Sequence, residues 1–251
     1  MGDVIVIAGK GGTGKTTIAG LITWMLAKRK AGSILAVDAD PNSNLADALG
    51  LHAVGTIADV IEEVAKSPDI VPQGMGKDAF IEYKIHTDIT ENNGFDLLVM
   101  GRPEGPGCYC YINNVMRNVM GKLVSDYRFV VIDNEAGMEH FSRKTTRSCN
   151  ELIVVSDETQ VGLKSAHRIF DLIEELNIPA QRRFLVVNRR TMKQDFSPLK
   201  KEFGVEKIFP VPFDEEILLL SSKGASLGAL TKGSVAVTAI EKLGDQIWPK
   251  N

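Results

Sequence analysis

The fold of this chain is decided by residues 4–16, which read VIVIAGKGGTGKT. The first five residues are β-branched or small and apolar, as in a strand buried in a parallel sheet. They are followed by a glycine, four residues, a second glycine, a lysine and a threonine, which is the spacing of a phosphate-binding loop. Apolar residues at helical intervals then predict a helix over residues 16–30. This order of strand, glycine-rich loop and helix predicts a nucleotide-binding P-loop.

Each residue type in this loop has a chemical role in binding phosphate or magnesium. Glycines let the backbone curl so that its N–H groups point at phosphate oxygens. Lys15 is expected to neutralise the β and γ phosphates, and the Thr16 hydroxyl is expected to coordinate magnesium. The alternative is a glycine-rich turn that carries a lysine by chance, which the flanking strand and helix disfavour. The predicted nucleotide-binding residues of the loop are Gly9, Lys10, Gly11, Gly12, Thr13, Gly14, Lys15, Thr16 and Thr17.

The alternation of strand and helix continues along the chain. It predicts an α/β fold with a mostly parallel central sheet and helices on both faces, as a P-loop domain has. One domain is expected over residues 1–251, with a surface insertion near residues 67–94, where prolines and glycines interrupt the pattern. Further strands are predicted over residues 34–38, 95–100, 129–133, 152–155, 184–188 and 207–211, and helices over residues 57–65, 113–124 and 163–176.

Composition narrows the classes of function. The chain has 251 residues, of which 44% are hydrophobic, and a formal net charge of -3. The lack of a basic excess disfavours a nucleic-acid partner. Three cysteines are too few for a disulfide framework, no apolar run is long enough to span a membrane, and the N-terminus lacks a secretory pattern. A cytoplasmic protein is therefore expected.

Lys10 directly follows the first glycine of the loop, and this position resembles the deviant phosphate loop of one family of ATPases. The family contains the nitrogenase iron protein, the cell-division-site ATPases and their metal-cluster relatives. In that family the lysine reaches across a dimer interface. The resemblance therefore implies a homodimer in which Lys10 and Lys15 are catalytic residues. ATP is then hydrolysed only when the two subunits close together. The alternative for Lys10 is a solvated loop lysine.

Two further segments resemble the switches of this family. Residues 38–41 (DADP) end a strand where the family places switch I, and the resemblance assigns Asp40 to positioning the attacking water and Asp38 to the magnesium shell. Residues 133–137 (DNEAG) match an Asp-x-x-Ala-Gly switch II, which places Asp133 near magnesium through water. The alternative for each aspartate is a helix cap or loop carboxylate, which is common after a strand.

The base-binding residues are also implied by the resemblance. Asn188 ends a predicted strand where the family uses an asparagine amide to read the adenine edge. Pro212, Phe213 and Asp214 resemble the family's proline-containing segment beside the base. A guanine-specific Asn-Lys-x-Asp motif is absent at Asn188, so ATP is favoured over GTP. The alternative for Asn188 is a turn residue at the end of a strand.

Cys108 and Cys110 flank Tyr109 in a predicted loop. In an extended segment, residues i and i+2 point the same way, so both sulfurs are expected on one face. Two thiolates do not complete a tetrahedral site, but two such pairs at a two-fold axis supply four ligands for one zinc or similar soft-binding ion. Incidental buried thiols and a reversible disulfide are the alternatives. Cys149 is predicted to be a packed thiol.

The phosphate loop and the cysteine pair together resemble the carbon monoxide dehydrogenase maturation ATPases. The resemblance is carried by residues 107–110 (GCYC) and 137–143 (GMEHFSR). It implies an ATP- and magnesium-dependent metallochaperone that assists nickel insertion into a client enzyme, carbon monoxide dehydrogenase or the related acetyl-CoA synthase.

Two other functions are alternatives. An iron–sulfur reductase like the nitrogenase iron protein is disfavoured because Met138, Glu139 and His140 follow switch II, where that branch has a cysteine nearby. A membrane-associated positioning ATPase is disfavoured because the predicted helix at residues 237–247 has Lys242 as its single basic residue. One basic residue gives little electrostatic attraction to anionic lipid. That helix is expected to pack on the core, without stable membrane association.

Overall fold

The computed structural model describes residues 2–102, 108–135 and 148–249, and only the backbone of residues 108–113 and 116. Its strands are β1 (Asp3–Gly9), β2 (Ile34–Asp38), β3 (Thr90–Asn92), β4 (Phe95–Val99), β5 (Phe129–Asp133), β6 (Cys149–Ser156), β7 (Ala180–Arg190) and β8 (Lys207–Pro212). They form one sheet in the order β3-β4-β2-β5-β1-β6-β7-β8. All neighbours are parallel except β3 and β4. The predicted mostly parallel sheet is confirmed.

Helices lie on both faces of this sheet. In the described ranges they are α1 (Lys15–Lys28), α2 (Leu45–Leu49), α3 (Ile57–Lys66), α4 (Lys77–Thr87), α5 (Cys108–Leu123), α6 (Gln160–Glu175), α7 (Leu199–Glu202), α8 (Glu215–Ser222) and α9 (Val235–Ile247). The Thr56 and Thr159 hydroxyls cap α3 and α6 by accepting from backbone N–H groups in the first turn. The predicted helices at residues 57–65 and 163–176 are therefore confirmed.

The central strand β1 shows how the two faces are filled. Val4, Val6 and Ala8 pack into one core, while Ile5 and Ile7 pack into the other, because successive side chains of a strand point to opposite faces. Helices α3 to α6 cover the first core, and α1, α2 and α9 cover the second. Each fully buried aliphatic side chain contributes about 1.5–3 kcal/mol. The strand ends that carry the polar residues are therefore fixed by packing on both faces.

The predicted surface insertion near residues 67–94 has regular structure. A 3-10 turn (Pro68–Ile70) precedes α4, which buries Ile81 and Ile85 in the first core, and β3 adds an antiparallel edge. Exposed ion pairs contribute only about 0–1 kcal/mol each, so the two isoleucines hold the helix in place. The ion pairs that link α4 to α3 and α5 are Lys84–Glu63 and Lys122–Glu82.

The C-terminal helix α9 uses its apolar side inside the fold. Ile240, Leu243 and Ile247 are each at most 3% exposed and belong to the second core, together with the apolar face of α1. The prediction of a terminal helix packed on the core is confirmed. Among the described residues, no helix has both the length and the apolar character required to cross a membrane.

Candidate nucleotide-binding site

The carboxyl ends of β1, β2 and β5 meet at one edge of the sheet. Strand β5 lies between the other two, and its Asp133 is in register with Ile7 of β1 and with Asp38 of β2. The glycine-rich loop follows β1 directly and leads into α1. The parallel pairing therefore brings the loop and two aspartates to the same edge, which is where ligands bind in sheets of this kind.

The phosphate loop is closed by contacts to the carbonyl oxygen of Lys10. Thr13 Oγ1 donates to this oxygen at 2.9 Å, and Lys15 Nζ donates to it at 3.5 Å. Lys15 is only 7% exposed. Gly14 has a φ of +92°, and a Cβ at this position would lie 2.3 Å from Asn188 Nδ2, so glycine is required there. The loop therefore holds a buried ammonium group, and its positive charge suits an anionic ligand.

Thr16 and Asp133 form a pair of oxygen ligands beside the loop. Thr16 Oγ1 donates to Asp133 Oδ2 at 2.6 Å, whereas Asp133 Oδ1 is buried and has no hydrogen-bond partner among the described residues. An unpartnered buried carboxylate oxygen is unfavourable unless a cation compensates it. Hydroxyl and carboxylate oxygens are the ligands that Mg²⁺ prefers, with water and phosphate oxygens completing its shell. These two residues therefore fit a magnesium ion.

Asp38 adds a second buried carboxylate. It is fully buried, and its oxygens accept from the backbone N–H of Leu45 at 2.8 Å and of Asp40 at 3.2 Å. Burial raises the pKa of Asp38 to about 7, and the nearby Asp133 adds to this rise. Burial also raises the pKa of Asp133 to about 6, against the opposing effects of Thr16 and Lys15. Two adjacent carboxyl groups that resist ionisation favour a bound cation.

Asp40 and Lys10, two of the predicted catalytic residues, lie at the outer side of this site. Asp40 Oδ1 accepts from the backbone N–H and the side-chain amide of Asn42 at 2.9 Å each, which orders the loop after β2. Lys10 is exposed. Within residues 2–102, 108–135 and 148–249, no ion pair involves Lys10. Its charge is therefore accessible to another molecule.

The predicted adenine-binding residues have structural partners of their own. Asn188 is buried, and its Nδ2 donates to the Thr13 carbonyl oxygen at 2.9 Å. The Asp214 carboxylate accepts from one hydroxyl and from backbone N–H groups at the starts of α8 and α9. Pro212 ends β8, and Phe213 is 40% exposed. Asp214 is thus a helix cap that joins α8 to α9, while the Phe213 ring is accessible to a ligand.

Arg189 also contacts the loop, although the sequence did not predict it. Its Nη1 donates to the Gly12 carbonyl oxygen at 3.2 Å. Arg189 has a φ of +54°, a conformation that residues other than glycine rarely adopt. No pattern of residue types predicts a left-handed conformation at an arginine, so the sequence could not predict this contact.

Comparison with known proteins agrees with this geometry. A family model described as "AAA domain" matches residues 2–185. The chain belongs to the AAA-domain family of P-loop ATPases. This ATPase is 40% identical to an uncharacterized ATP-binding protein of Methanocaldococcus jannaschii, over 98% of this chain and 99% of the relative. It is 32% identical to the carbon monoxide dehydrogenase accessory protein CooC of Rhodospirillum rubrum, over 69% of this chain and 70% of the relative.

A solved structure supports the fold of the ATPase. The septum site-determining protein MinD of Pyrococcus horikoshii, complexed with Mg-ADP, is similar with a TM-score of 0.73 and 20% sequence identity, and the match covers 99% of this chain and 96% of that chain. As a P-loop ATPase, this protein binds and hydrolyses ATP. Mg²⁺ is the ion expected with ATP, and the Thr16 and Asp133 oxygens fit it.

The cysteine pair lies at the start of α5. Because this helix begins at Cys108, the backbone of Cys108 and Cys110 is helical, and the predicted extended segment is wrong. Side chains two residues apart on a helix point to different sides of it. The spacing of the two cysteines therefore no longer predicts that their sulfurs lie on one face. The side chains of both cysteines lie outside the described residues. Within the described part of the chain, no group of three or more His, Cys, Asp and Glu side chains is arranged to hold a metal ion.

Two predictions remain, for the isolated cysteine Cys149 and for the two residues that follow switch II. Cys149 is 3% exposed, and burial, with the nearby Glu151, raises its pKa to about 12. It is therefore the packed, unreactive thiol that was predicted. Glu139 and His140, which follow switch II, lie outside the described residues.

Proposed function

We propose that this ATPase is a metallochaperone for a nickel enzyme. Nucleotide brings two copies together, Cys108 and Cys110 of each copy bind one shared metal ion, and nickel is delivered to carbon monoxide dehydrogenase or acetyl-CoA synthase. The observation that carries the proposal is that one chain combines an exposed Lys10 on a P-loop with a Cys-x-Cys pair. The 32% identity to CooC supports this class of client.

The loop residues account for binding and hydrolysis of ATP. Backbone N–H groups of the loop and the amino end of α1 attract the phosphates, and Lys15 neutralises their charge. Thr16 and Asp133 would hold Mg²⁺, which when bound would stabilise the negative charge on the transferring phosphoryl group. Asp40 accepts a hydrogen bond from the attacking water and aligns it with the γ phosphorus. In-line attack by this water then yields ADP and phosphate.

An exposed Lys10 makes hydrolysis conditional on a second copy of the chain. A cation supplied by a partner stabilises the charge that develops on the phosphoryl group, as an arginine finger does. In a two-fold symmetric dimer, each Lys10 serves the site of the other copy. Hydrolysis then removes the γ phosphate that holds the copies together, and the interface loosens.

Backbone hydrogen bonds connect the end of β2 to the residue that follows β4, on the part of the chain that leads to the cysteine pair. The Met100 N–H donates to the Asp38 carbonyl oxygen at 2.9 Å, and the Ala58 N–H donates to the Met100 carbonyl oxygen at 3.0 Å. Met100 immediately follows β4, and the chain continues from there to Cys108 and Cys110. A shift at the end of β2 upon ATP binding is therefore transmitted towards the metal-binding segment.

The start of α5 suits thiolate ligands. The amino end of a helix carries a partial positive charge, which favours anionic sulfur. Two copies supply four thiolates, which complete the tetrahedral shell that soft-binding ions prefer. Metal binding is then linked to dimer formation, because either copy alone has half of the ligands.

Equilibrium nickel binding tests this proposal. With Mg²⁺ and a nonhydrolysable ATP analogue, we expect one nickel ion for every two chains. The Cys108→Ser/Cys110→Ser double variant should retain nucleotide affinity and lose this nickel, whereas the matched control Cys149→Ala should keep it. Unchanged nickel binding by the double variant would mean that another site holds the metal. A broad iron–sulfur absorption after anaerobic purification would instead favour the reductase alternative.

A further inference from the structure

The end of β7 departs from regular strand geometry beside the phosphate loop. Arg189 has a φ of +54°, and the pairing of β7 with β8 shifts register between Val187 and Arg190. A left-handed conformation is unfavourable for a residue with a Cβ, and it persists only where the surrounding structure compensates it. The irregularity therefore calls for a stabilising contact nearby.

That contact is made by two consecutive side chains. Asn188 Nδ2 donates to the Thr13 carbonyl oxygen at 2.9 Å, and Arg189 Nη1 donates to the Gly12 carbonyl oxygen at 3.2 Å. In a regular strand, consecutive side chains point to opposite faces, so neighbouring residues would not reach the same loop. The left-handed conformation of Arg189 breaks this alternation and brings both donors to adjacent carbonyl groups.

Holding these carbonyl groups also orients the N–H groups of the loop. A peptide unit is planar and trans, so its C=O and N–H point in opposite directions. Because Asn188 holds the Thr13 carbonyl, the Gly14 N–H points away from Asn188 and can donate to a phosphate oxygen. When Arg189 holds the Gly12 carbonyl, the Thr13 N–H keeps its contact with the Lys10 carbonyl oxygen at 3.4 Å. The two side chains thus set the shape of the cradle.

We infer that Asn188 and Arg189 are positioning residues that hold the loop at Gly12, Thr13 and Gly14 in its phosphate-binding shape before nucleotide arrives. The inference rests on phosphate binding by this loop, as in the proposed function. It gives Asn188 a role that does not depend on the base, in contrast to adenine reading. Substrate affinity is thereby controlled from β7, outside the P-loop motif itself.

Inorganic tripolyphosphate separates the two roles of Asn188, because it has phosphates but no base. The Asn188→Asp variant places a carboxylate opposite the Thr13 carbonyl oxygen and removes the donor. It should bind Mg-tripolyphosphate and Mg-ATP about 10-fold more weakly, with an unchanged ratio of ATP to GTP affinity. Normal tripolyphosphate binding combined with a loss for ATP alone would overturn the inference.

Arg189 allows a kinetic test of the positioning role at an exposed position, where folding is not at risk. Arg189→Gly tolerates the left-handed backbone and removes the guanidinium, so KM for ATP should rise about 3- to 10-fold with unchanged kcat, and Tm should not fall. Arg189→Lys should recover part of this loss. The matched control is Arg190→Ala, since the Arg190 guanidinium contacts the Met192 and Gln194 carbonyls instead. An unchanged KM in Arg189→Gly would overturn the positioning role.

Lys15→Ala distinguishes failure of this inference from failure of the proposed function. If Lys15→Ala still binds tripolyphosphate, the loop is not the phosphate site and both proposals fall. If Lys15→Ala loses binding while the Asn188 and Arg189 variants retain it, only the positioning role is wrong.

Discussion

Without a divalent cation, the buried carboxyl group of Asp38 should make this protein less stable as the pH rises. Burial raises its pKa from 3.8 to about 7. At about 1.4 kcal/mol per pKa unit, this rise corresponds to about 4 kcal/mol. Because the folded-state pKa is the higher one, the folded protein keeps a proton that the unfolded chain has already lost. The cost of ionising Asp38 is thus absent below about pH 4 and complete above about pH 7.

Asp38→Asn isolates this cost. The amide keeps one acceptor oxygen, but its NH2 group cannot accept the second backbone N–H, so near pH 4 the variant should be less stable than the wild type by about 1–3 kcal/mol. Between pH 4 and pH 8 the stability of the variant relative to the wild type should rise by up to about 4 kcal/mol. For a chain of this size, that change raises the Tm of the variant relative to the wild type by about 8–16 °C.

Thermal unfolding in EDTA at the two pH values measures this difference. The matched control is Asp47→Asn on α2, because Asp47 is exposed and its replacement removes no buried carboxyl group. Mg²⁺ with ADP should stabilise the wild type more than Asp38→Asn at pH 8, since a bound cation compensates the buried charge. An equal Tm difference at both pH values would refute the reasoning.

Three further predictions concern the loop and the C-terminal helix. Lys10→Ala should keep nucleotide affinity but lose about 10³-fold in phosphate release, and preserved turnover would contradict the trans-acting lysine. Thr16→Ala should raise the Mg²⁺ concentration for half-maximal turnover about 10-fold in a titration at fixed ATP; an unchanged midpoint would remove Thr16 from the magnesium site. Leu243→Ala should lower the free energy of unfolding in urea by about 2–5 kcal/mol, whereas an unchanged value would contradict its burial.

The parts of the fold that the sequence predicts well follow from local rules. A strand that runs into a glycine-rich loop and a helix is recognised from residue types alone. Parallel strands place their carboxyl ends at one edge, so Asp38 and Asp133 were expected near the loop, and they lie in register on neighbouring strands. The apolar periodicity of α9 likewise predicted its packing on the core.

The start of α5 shows where local rules are insufficient. The predicted helix began at residue 113, because the glycines and prolines before Cys108 indicated a loop and two cysteines carry no strong helical signal. The helix begins at Cys108 instead. Helix ends are set by hydrogen bonding and packing in the folded chain, and these are weakly encoded in the residues at the boundary.

The contacts of Asn188 and Arg189 show a second limit. The position of Asn188 at a strand end was predicted, but the hydrogen bond to the Thr13 carbonyl oxygen depends on how β7 and the loop lie in three dimensions. The left-handed Arg189 follows from a shift in the pairing of β7 with β8. Such a shift involves residues far apart in sequence, so no local pattern predicts it.

The shared metal site is tested most directly by native mass spectrometry of the protein with nickel, Mg²⁺ and a nonhydrolysable ATP analogue. The account predicts a mass of two chains with one nickel ion, and a metal-free mass when Cys108 and Cys110 are both serine. Single chains that each carry their own nickel, or a dimer that excludes nickel, would contradict it.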